Sequence, residues 1–449
     1  MKTRTYILIA SSLLLSACSN MLDIEPTDAI SSNEAIKDKS GVEKAIAGSY
    51  DAFQLAGLYG RNRVILGDLS ADNLVWSGTN YDYSQLDNNS VSIENGIIDG
   101  MWSGAYDGIN RVNNILAALP GIGDLTEDER SHYEGEALFM RALFHFNLLS
   151  YFGGVPVMME PTLDLSNLDR PRNSSGEVFD QIISDLTAAE LKLPLPSAAP
   201  EGKANSFSAA ALLARVYLTR FHDENNNEFA LLAANKADQV IEQGGFSLVS
   251  SYPDLYEGTA DNSERIFQIV FSAQDKNRLA EYFYPTSLAG RYEVAPSESL
   301  AQAFDPADSI RLAASIAKDK DGFLYCNKYT ELIEGSDPVL VIRLAEMFLI
   351  KAEALAYTNG DIEEIRDNID VIRTRAGLAP TTAATYDELK LAIENERRFE
   401  FAFEGHRWFD LVRTKRAVAV LNIDEYQTLF PIPLSEMSTN KAMTQNPGY

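Results

Sequence analysis

Apolar residues recur along most of this chain with the period of a helix. Ala210, Leu213, Ala214, Tyr217 and Phe221 stand at i, i+3, i+4, i+7 and i+11, one stripe on one helical face. Leu344, Phe348, Ala352 and Leu355 repeat the stripe, and Ile362, Ile365, Ile369 and Ile372 make another, closed by Gly377 as a stop. Thr385 and Glu388 form a capping-box pattern ahead of Leu389, Ile393 and Phe403. Residues 134–151 read as one long, strongly apolar helix ending at Gly153-Gly154. Small residues (Ala142, Ala210, Ala214, Ala352, Ala356) alternate with large aromatics, as in paired helices of tetratricopeptide type, although no strict 34-residue period is present. The fold expected is mainly α: a tetratricopeptide-like helix-pair scaffold with long loop insertions and a few short strands.

Polar stretches interrupt this pattern. Residues 77–99 are rich in Asn, Ser, Asp and Gly and read as a loop, as do residues 272–300. Ile266, Gln268 and Val270 alternate with Phe267, Ile269 and Phe271, which predicts a strand. Loops on a rigid scaffold are where binding residues usually sit. Two clusters there suit a sugar-like ligand, since aromatic faces stack on the C–H faces of a pyranose while polar groups bond its hydroxyls. Asp72, Asn73, Trp76, Tyr81 and Tyr83 form the first; Tyr282, Tyr284, Arg291 and Tyr292 form the second. Loop packing is the alternative role for each. Trp102 and Trp408 fall inside helical apolar patterns and are assigned to the core.

The N-terminus changes the picture. Lys2 and Arg4 precede an apolar run, residues 6–15, that is too short to span a bilayer. Leu15-Ser16-Ala17-Cys18 follows, which resembles the bacterial lipobox: residues 1–17 would be a signal peptide and Cys18 the lipidated first residue. Two acyl chains suffice for stable anchoring. Residues 18–40 read as tether and lead-in, with Asp23 and Glu25 close behind the cysteine, and residues 41–449 as a single helical domain. Cys326 is the one other cysteine, so no disulfide framework is available, and it is expected to be buried and inert. The formal charge is −27, nearer −29 without Lys2 and Arg4. That argues against nucleic acid or an anionic membrane face as partner.

Catalytic chemistry is sparse. The four histidines, His132, His145, His222 and His406, show no zinc-site spacing, and no phosphate-cradling loop or nucleophile elbow occurs. No cofactor and no metal are implied. His145, in Phe144-His145-Phe146, reads as a core imidazole. Glu346 and Glu353 read as solvated or ion-paired helix positions. Glu394, Glu396, Glu400 and Glu404, interleaved with Arg397 and Arg398, read as salt bridging along a helix.

The run from Glu394 to Leu411, Glu-Asn-Glu-Arg-Arg-Phe-Glu-Phe-Ala-Phe-Glu-Gly-His-Arg-Trp-Phe-Asp-Leu, resembles the hallmark of the SusD/RagB family. So do Leu429-Phe430-Pro431-Ile432-Pro433, the ending from Gln445 to Tyr449, and the stretch from Gly135 to Pro156. Trp102 with Tyr106, Ile109, Asn110 and Asn113, residues 210–218, and Arg343-Leu344-Ala345-Glu346 also fit. The resemblance runs the length of the mature chain, which is short for that family. It implies a helical outer-membrane lipoprotein facing the cell exterior, which caps a SusC-like TonB-dependent transporter and captures oligosaccharides. It implies no catalytic motif, and it carries no residue-level match for the two aromatic clusters, which rest on chemistry alone.

The function expected is therefore glycan binding without catalysis. Peptide binding within the same family is the alternative, and a glycoside hydrolase on a helical scaffold a remote one. Trp76 with Tyr81 and Tyr83 favours sugar, because a peptide site needs backbone-pairing groups more than flat aromatic platforms.

Overall fold

The computed structural model describes residues 35–162, 168–256 and 263–449. Cys18, the signal segment 1–17 and most of the tether lie outside the described residues.

Two helices open the described chain, α1 (Lys39–Gln54) and α2 (Asn62–Leu69), followed by β1 (Leu74–Trp76), α3 (Tyr81–Asp87), α4 (Gly96–Ala118) and α5 (Glu127–Phe152). Next come α6 (Ser175–Lys192), α7 (Ser206–Glu224) and α8 (Asn227–Gln243). Residues 244–343 then hold β2 (Arg265–Ile269), α9 (Leu279–Phe283), β3 (Val294–Pro296), α10 (Glu298–Ala303), α11 (Ser309–Ser315), β4 (Ile316–Lys318), β5 (Leu324–Cys326) and β6 (Val339–Arg343). The last part holds α12 (Leu344–Tyr357), α13 (Ile362–Arg375), α14 (Tyr386–Glu400), α15 (Arg407–Arg413), α16 (Ala417–Leu421) and α17 (Leu434–Thr439).

Each long helix packs on the next: α1 on α4, α4 on α5, and so through α6, α7, α8 and α12 to α13 and α14. No one of these helices buries its apolar stripe alone, so stacking neighbours supplies the core, as in helical-repeat proteins. The helix ends follow from the sequence. Thr126, Ser174, Asn205 and Thr385 close capping boxes at the starts of α5, α6, α7 and α14, and α5 stops at Gly153.

Three two-stranded antiparallel pairs complete the fold: β1–β3, β2–β6 and β4–β5. Strand β2 lies early in the segment between α8 and α12, and β6 runs directly into α12. Their pairing closes that segment at its base.

Several expectations need correction. Residues 77–99 are not one loop: Asn80 caps α3 and Asn95 caps α4, each through its side-chain oxygen. The predicted strand ends at Ile269, and all five residues of β2 are buried. Phe403 is not on the helix of Leu389 and Ile393. That helix ends at Glu400, and Phe403 sits in the following turn with φ of 64°. The stripe of α12 is not the whole story either: Phe348 and Leu355 are half-buried, while Ala345, Met347, Leu349 and Ile350 are buried between neighbouring helices. Trp102, Trp408, His145 and Cys326 are buried. Burial lowers the His145 imidazole to about 4 and pushes the Cys326 thiol up to about 12.

The acidic run at 394–404 does not bridge along its own helix. Glu396 and Glu400, four apart, share one face of α14, and Glu404 follows in the turn after it; all three reach other elements. Arg343 donates to Glu400 Oε1 at 2.5 Å, Glu404 Oε2 at 2.9 Å and Glu264 Oε1 at 2.9 Å. Arg311, fully buried, holds Asp308 at 2.9 Å, Glu396 at 2.6 Å and Glu400 at 3.1 Å. Lys328 meets Glu404 at 2.9 Å, Arg373 meets Glu396 at 3.3 Å, and Arg375 pairs with both Glu264 and Glu400. The cluster balances five cations against five carboxylates. Burial alone would raise the Glu400 carboxyl, but Arg375, Arg343 and Arg311 outweigh it and hold it well below its usual range.

Removing one partner of such a cluster leaves a buried charge uncompensated. Glu400→Ala should destabilise by about 3–5 kcal/mol, whereas Glu363→Ala, whose partner pair with Arg366 is exposed, should change stability by less than about 0.5 kcal/mol. Urea unfolding checks both. Because the folded pKa of Glu400 is depressed, its contribution is complete above the unfolded value of about 4.3 and is lost as pH falls below it.

Candidate functional site

The strand pair β1–β3 brings the two aromatic clusters together. Leu74, Val75 and Trp76 pair with Pro296, Ala295 and Val294. Beyond the strands, residues 77–80 fold over Glu293. The amides of Ser77 and Gly78 donate to the Glu293 carbonyl at 3.1 and 3.2 Å. Those of Thr79 and Asn80 donate to its Oε2, both at 3.0 Å. Only glycine fits at 78, since a Cβ there would lie 2.6 Å from the Glu293 Cα.

The expected residues fall on two levels. Tyr81 is 71% exposed, Arg291 is exposed, and Trp76, Tyr284 and Tyr292 keep part of their surface. Beneath them lie Tyr83, Tyr282, Asn73 and Asp72. Tyr83 is buried, donates to Asn62 Oδ1 at 2.9 Å and meets the Tyr282 ring edge-on at 5.9 Å. Tyr282 is buried under the guanidiniums of Arg61 and Arg291, 4.4 and 5.0 Å from its centroid, and its hydroxyl accepts from Arg61. Asn73 is buried between Asp68 and Arg398. The Asp72 carboxylate is committed to Arg407 at 2.7 Å and Arg398 at 3.0 Å. Burial would raise its pKa, and the two guanidiniums hold it below the usual value instead. These four side chains carry the platform rather than face solvent.

The hairpin β4–β5 adds a ring the sequence reading missed. Phe323, 53% exposed, meets Tyr292 edge-on at 5.6 Å. The turn is built by Asp319, whose Oδ1 accepts from the amides of Asp321 and Phe323, both at 2.9 Å, and by Gly322 at φ of 90°. Asp321-Gly322 beside apolar residues is a hairpin signal that could have found it. Tyr292 has φ of 54°, a left-handed conformation that a bulky residue adopts only when its surroundings impose it. Here Ser77 Oγ donates to its carbonyl at 2.9 Å and its own hydroxyl donates to the Leu324 carbonyl at 3.0 Å. Tyr284 meets Tyr325 edge-on at 4.9 Å, and burial pushes its phenol up to about 12. The rings of the face are uncharged, and beside them Arg291 lies 3.8 Å from Glu281 and 3.5 Å from Glu293.

Its carboxylates are turn builders. Glu293 and Asp319 are tied to backbone amides as above, and Asp87 Oδ2 accepts from the Trp76 amide at 3.2 Å. No freely facing acid pair of the kind glycoside hydrolysis needs is offered by these groups. Among the described residues, no group of three or more His, Cys, Asp or Glu is placed to hold a metal ion. No described helix is long and apolar enough to cross a membrane. Glu346 and Glu353 are buried and ion-paired, with Arg215 and with Arg413 respectively.

Residues 20–218 match a family model described as SusD-like, starch-binding associating with outer membrane, and residues 321–425 match that of the SusD family. A SusD-like protein of Formosa agariphila is 27% identical over 99% of this chain and 98% of its own. The starch-binding protein SusD of Bacteroides thetaiotaomicron is 25% identical, over 97% of this chain and 96% of its own. Among solved structures, a SusD superfamily protein from Bacteroides vulgatus superposes with a TM-score of 0.83 at 23% identity, covering 92% of this chain and 99% of that one. A laminarin-binding SusD-like protein gives 0.82 at 24%, covering 92% and 100%.

The two levels predict different responses to truncation. Tyr81→Ala and Phe323→Ala should each shift stability by no more than about 0.5 kcal/mol. Tyr83→Ala, which empties a buried site and leaves Asn62 Oδ1 with Arg61 as its remaining donor, should cost about 3–5 kcal/mol. Chemical denaturation of the three variants distinguishes them.

Proposed function

Since the chain belongs to the SusD/RagB family, we propose that it is a cell-surface lipoprotein that binds an oligosaccharide on the face formed by Trp76, Tyr81, Arg291, Tyr292 and Phe323 and delivers it to a SusC-like TonB-dependent transporter. The observation that carries this reading is the assembly of that face. Residues far apart in sequence, joined by β1–β3 and the β4–β5 hairpin, set several partly exposed aromatic side chains beside one exposed guanidinium. Aromatic faces take up the apolar side of a sugar ring, and a guanidinium supplies hydrogen-bond donors to its hydroxyls. Relatives bear names that fit: one is a starch-binding protein and another laminarin-binding. The protein binds without chemistry, because the acids beside the face are occupied in turns.

Anchoring completes the proposal. Lipidation of Cys18 leaves residues 19–38 between the membrane and α1, whose first turn is capped by Asp38. Peptide capture is the second reading. It is the less favoured because both free ladder edges at this face are only three residues long.

Trp76→Ala should weaken binding of a glycan identified by panel screening by about tenfold or more, the scale of one lost aromatic platform, while circular dichroism stays unchanged. Calorimetry reads the affinity; an unaltered constant moves the site elsewhere. Cys18→Ala should shift the protein from the membrane fraction to the soluble fraction. Retention of the processed variant in the membrane would defeat the anchor.

A further inference from the structure

A cavity of about 380 Å³ lies between the end of α5, the start of α6, α7 and α15, and shares no lining residue with the aromatic face. Its size falls in the range of small-molecule sites. Part of its wall is apolar, formed by Phe146, Leu149, Phe179, Leu218 and Ile350. Another part is cationic, formed by Arg63, Arg215, Arg397 and Arg413.

Two of the four lining carboxylates, Glu346 and Asp410, are held by arginines, while Asp223, which accepts from the Ser175 hydroxyl, and Glu425 are exposed. Arg215 chelates Glu346, and Asp410 accepts from Arg397 and Arg413, both at 2.8 Å. Two guanidinium groups are left short of acceptors. Arg63 has no carboxylate within ion-pair distance among the described residues. Its Nε donates to Asn147 Oδ1 at 3.2 Å and its Nη1 to the Gly405 carbonyl at 2.7 Å, both neutral, and its guanidinium lies 4.1 Å over the Phe409 ring. Arg397 is 4% exposed; its Nε meets Asp410 and its Nη2 lies 3.8 Å from Glu346, but its buried Nη1 has no hydrogen-bond partner. A buried guanidinium N–H without an acceptor is strongly disfavoured. His406 lines the same cavity. It stays neutral, held well below its ordinary pKa first by burial and then by Arg215, Arg397 and Arg63. A neutral imidazole ringed by guanidiniums marks positive potential in a protein whose net charge is −27.

We propose that this cavity binds a small organic anion, a monocarboxylate with an apolar body, its carboxylate beside Arg63 and Arg397 and its body against Phe146, Phe179 and Leu218. An inorganic ion would leave the apolar wall uncovered, and a neutral apolar guest would leave the guanidiniums unmet. The site is independent of whatever the aromatic face binds.

Calorimetry with 3-phenylpropionate against 3-phenylpropionamide tests the proposal on the intact protein. The acid should bind about tenfold or more tighter than the amide, the gain from charged acceptors. Arg63→Met should erase that preference and Arg63→Lys restore part of it. Leu218→Trp, which fills the cavity while keeping every guanidinium, should abolish binding of both probes. Equal affinity for acid and amide in the unaltered protein overturns the proposal, whether or not Arg63→Met folds. So does absence of binding at millimolar concentration, or undiminished binding to a folded Leu218→Trp.

Discussion

Arg343 stands where the two halves of the chain's logic meet. It is the last residue of β6 and the residue before α12, and its guanidinium is buried among Glu264, Glu400 and Glu404. A buried cation is tolerable only if its acceptors are fixed in place beforehand. That requirement ties β2, which follows Glu264, to the end of α14 and the turn after it. It also ties the closing strand of the segment 244–343 to the helix stack. The same carboxylates then serve Arg311, Arg375 and Lys328, so α11, α13 and the stretch after β5 are bound into one charge-balanced cluster. A buried ion cluster need not add net stability over apolar packing. What it does enforce is one arrangement, because every other leaves charge unpaired.

The end of α14, residues 394–400, distributes its charges in three directions because successive helical residues point about 100° apart. Glu396 and Glu400 face the Arg343 cluster. Arg397 turns to Asp410, beside the cavity that Arg63 and His406 line. Arg398, with Arg407, reaches Asp72, directly ahead of Asn73 and β1. The aromatic face is therefore supported from a distance. The strand that carries Trp76 is held by arginines whose positions follow from the cluster around Arg343. A ligand platform made of partly exposed rings needs such backing, since rings in short loops have little packing of their own.

The helical scaffold was legible because it is local physics. Stripes at i, i+3 and i+4, capping boxes and stop glycines are written in contiguous residues, and the helices at 127–152, 206–224 and 362–375 follow them. The short helix of residues 81–87 was not legible, because seven residues carry too little periodicity and the Asn80 cap looks like loop composition. The partners of Glu396, Glu400 and Glu404 were not legible either. Spacing of four suits bridging along a helix, and nothing local shows that Arg311, Arg343 and Arg375 arrive from elsewhere. Of the proposed site residues, which are exposed and which are buried was not readable. Tyr81 and Tyr83 have the same loop-like context, yet two residues on a helix differ by about 200° in direction, which puts one in solvent and one in the core.

Charge placement follows a single rule across these sites. The protein carries 65 acidic residues against 38 basic ones, and among the described residues the buried acids are met by cations or, as at Asp68 and Asp337, by amide donors. Arginine is the main cation carried inward, with Arg311, Arg343, Arg375, Arg397 and Arg413 all buried or nearly so beside the single buried Lys328 of the described residues. A planar guanidinium can satisfy several carboxylates at fixed angles, which a lysine ammonium cannot do as well. An acidic exterior repels anionic polymers, and an uncharged aromatic face near Arg291 favours neutral, hydroxyl-rich ones. Arg63, half-buried, has no carboxylate partner among the described residues, and the buried Arg397 keeps one N–H unmet, so the acceptors around these two guanidiniums are incomplete.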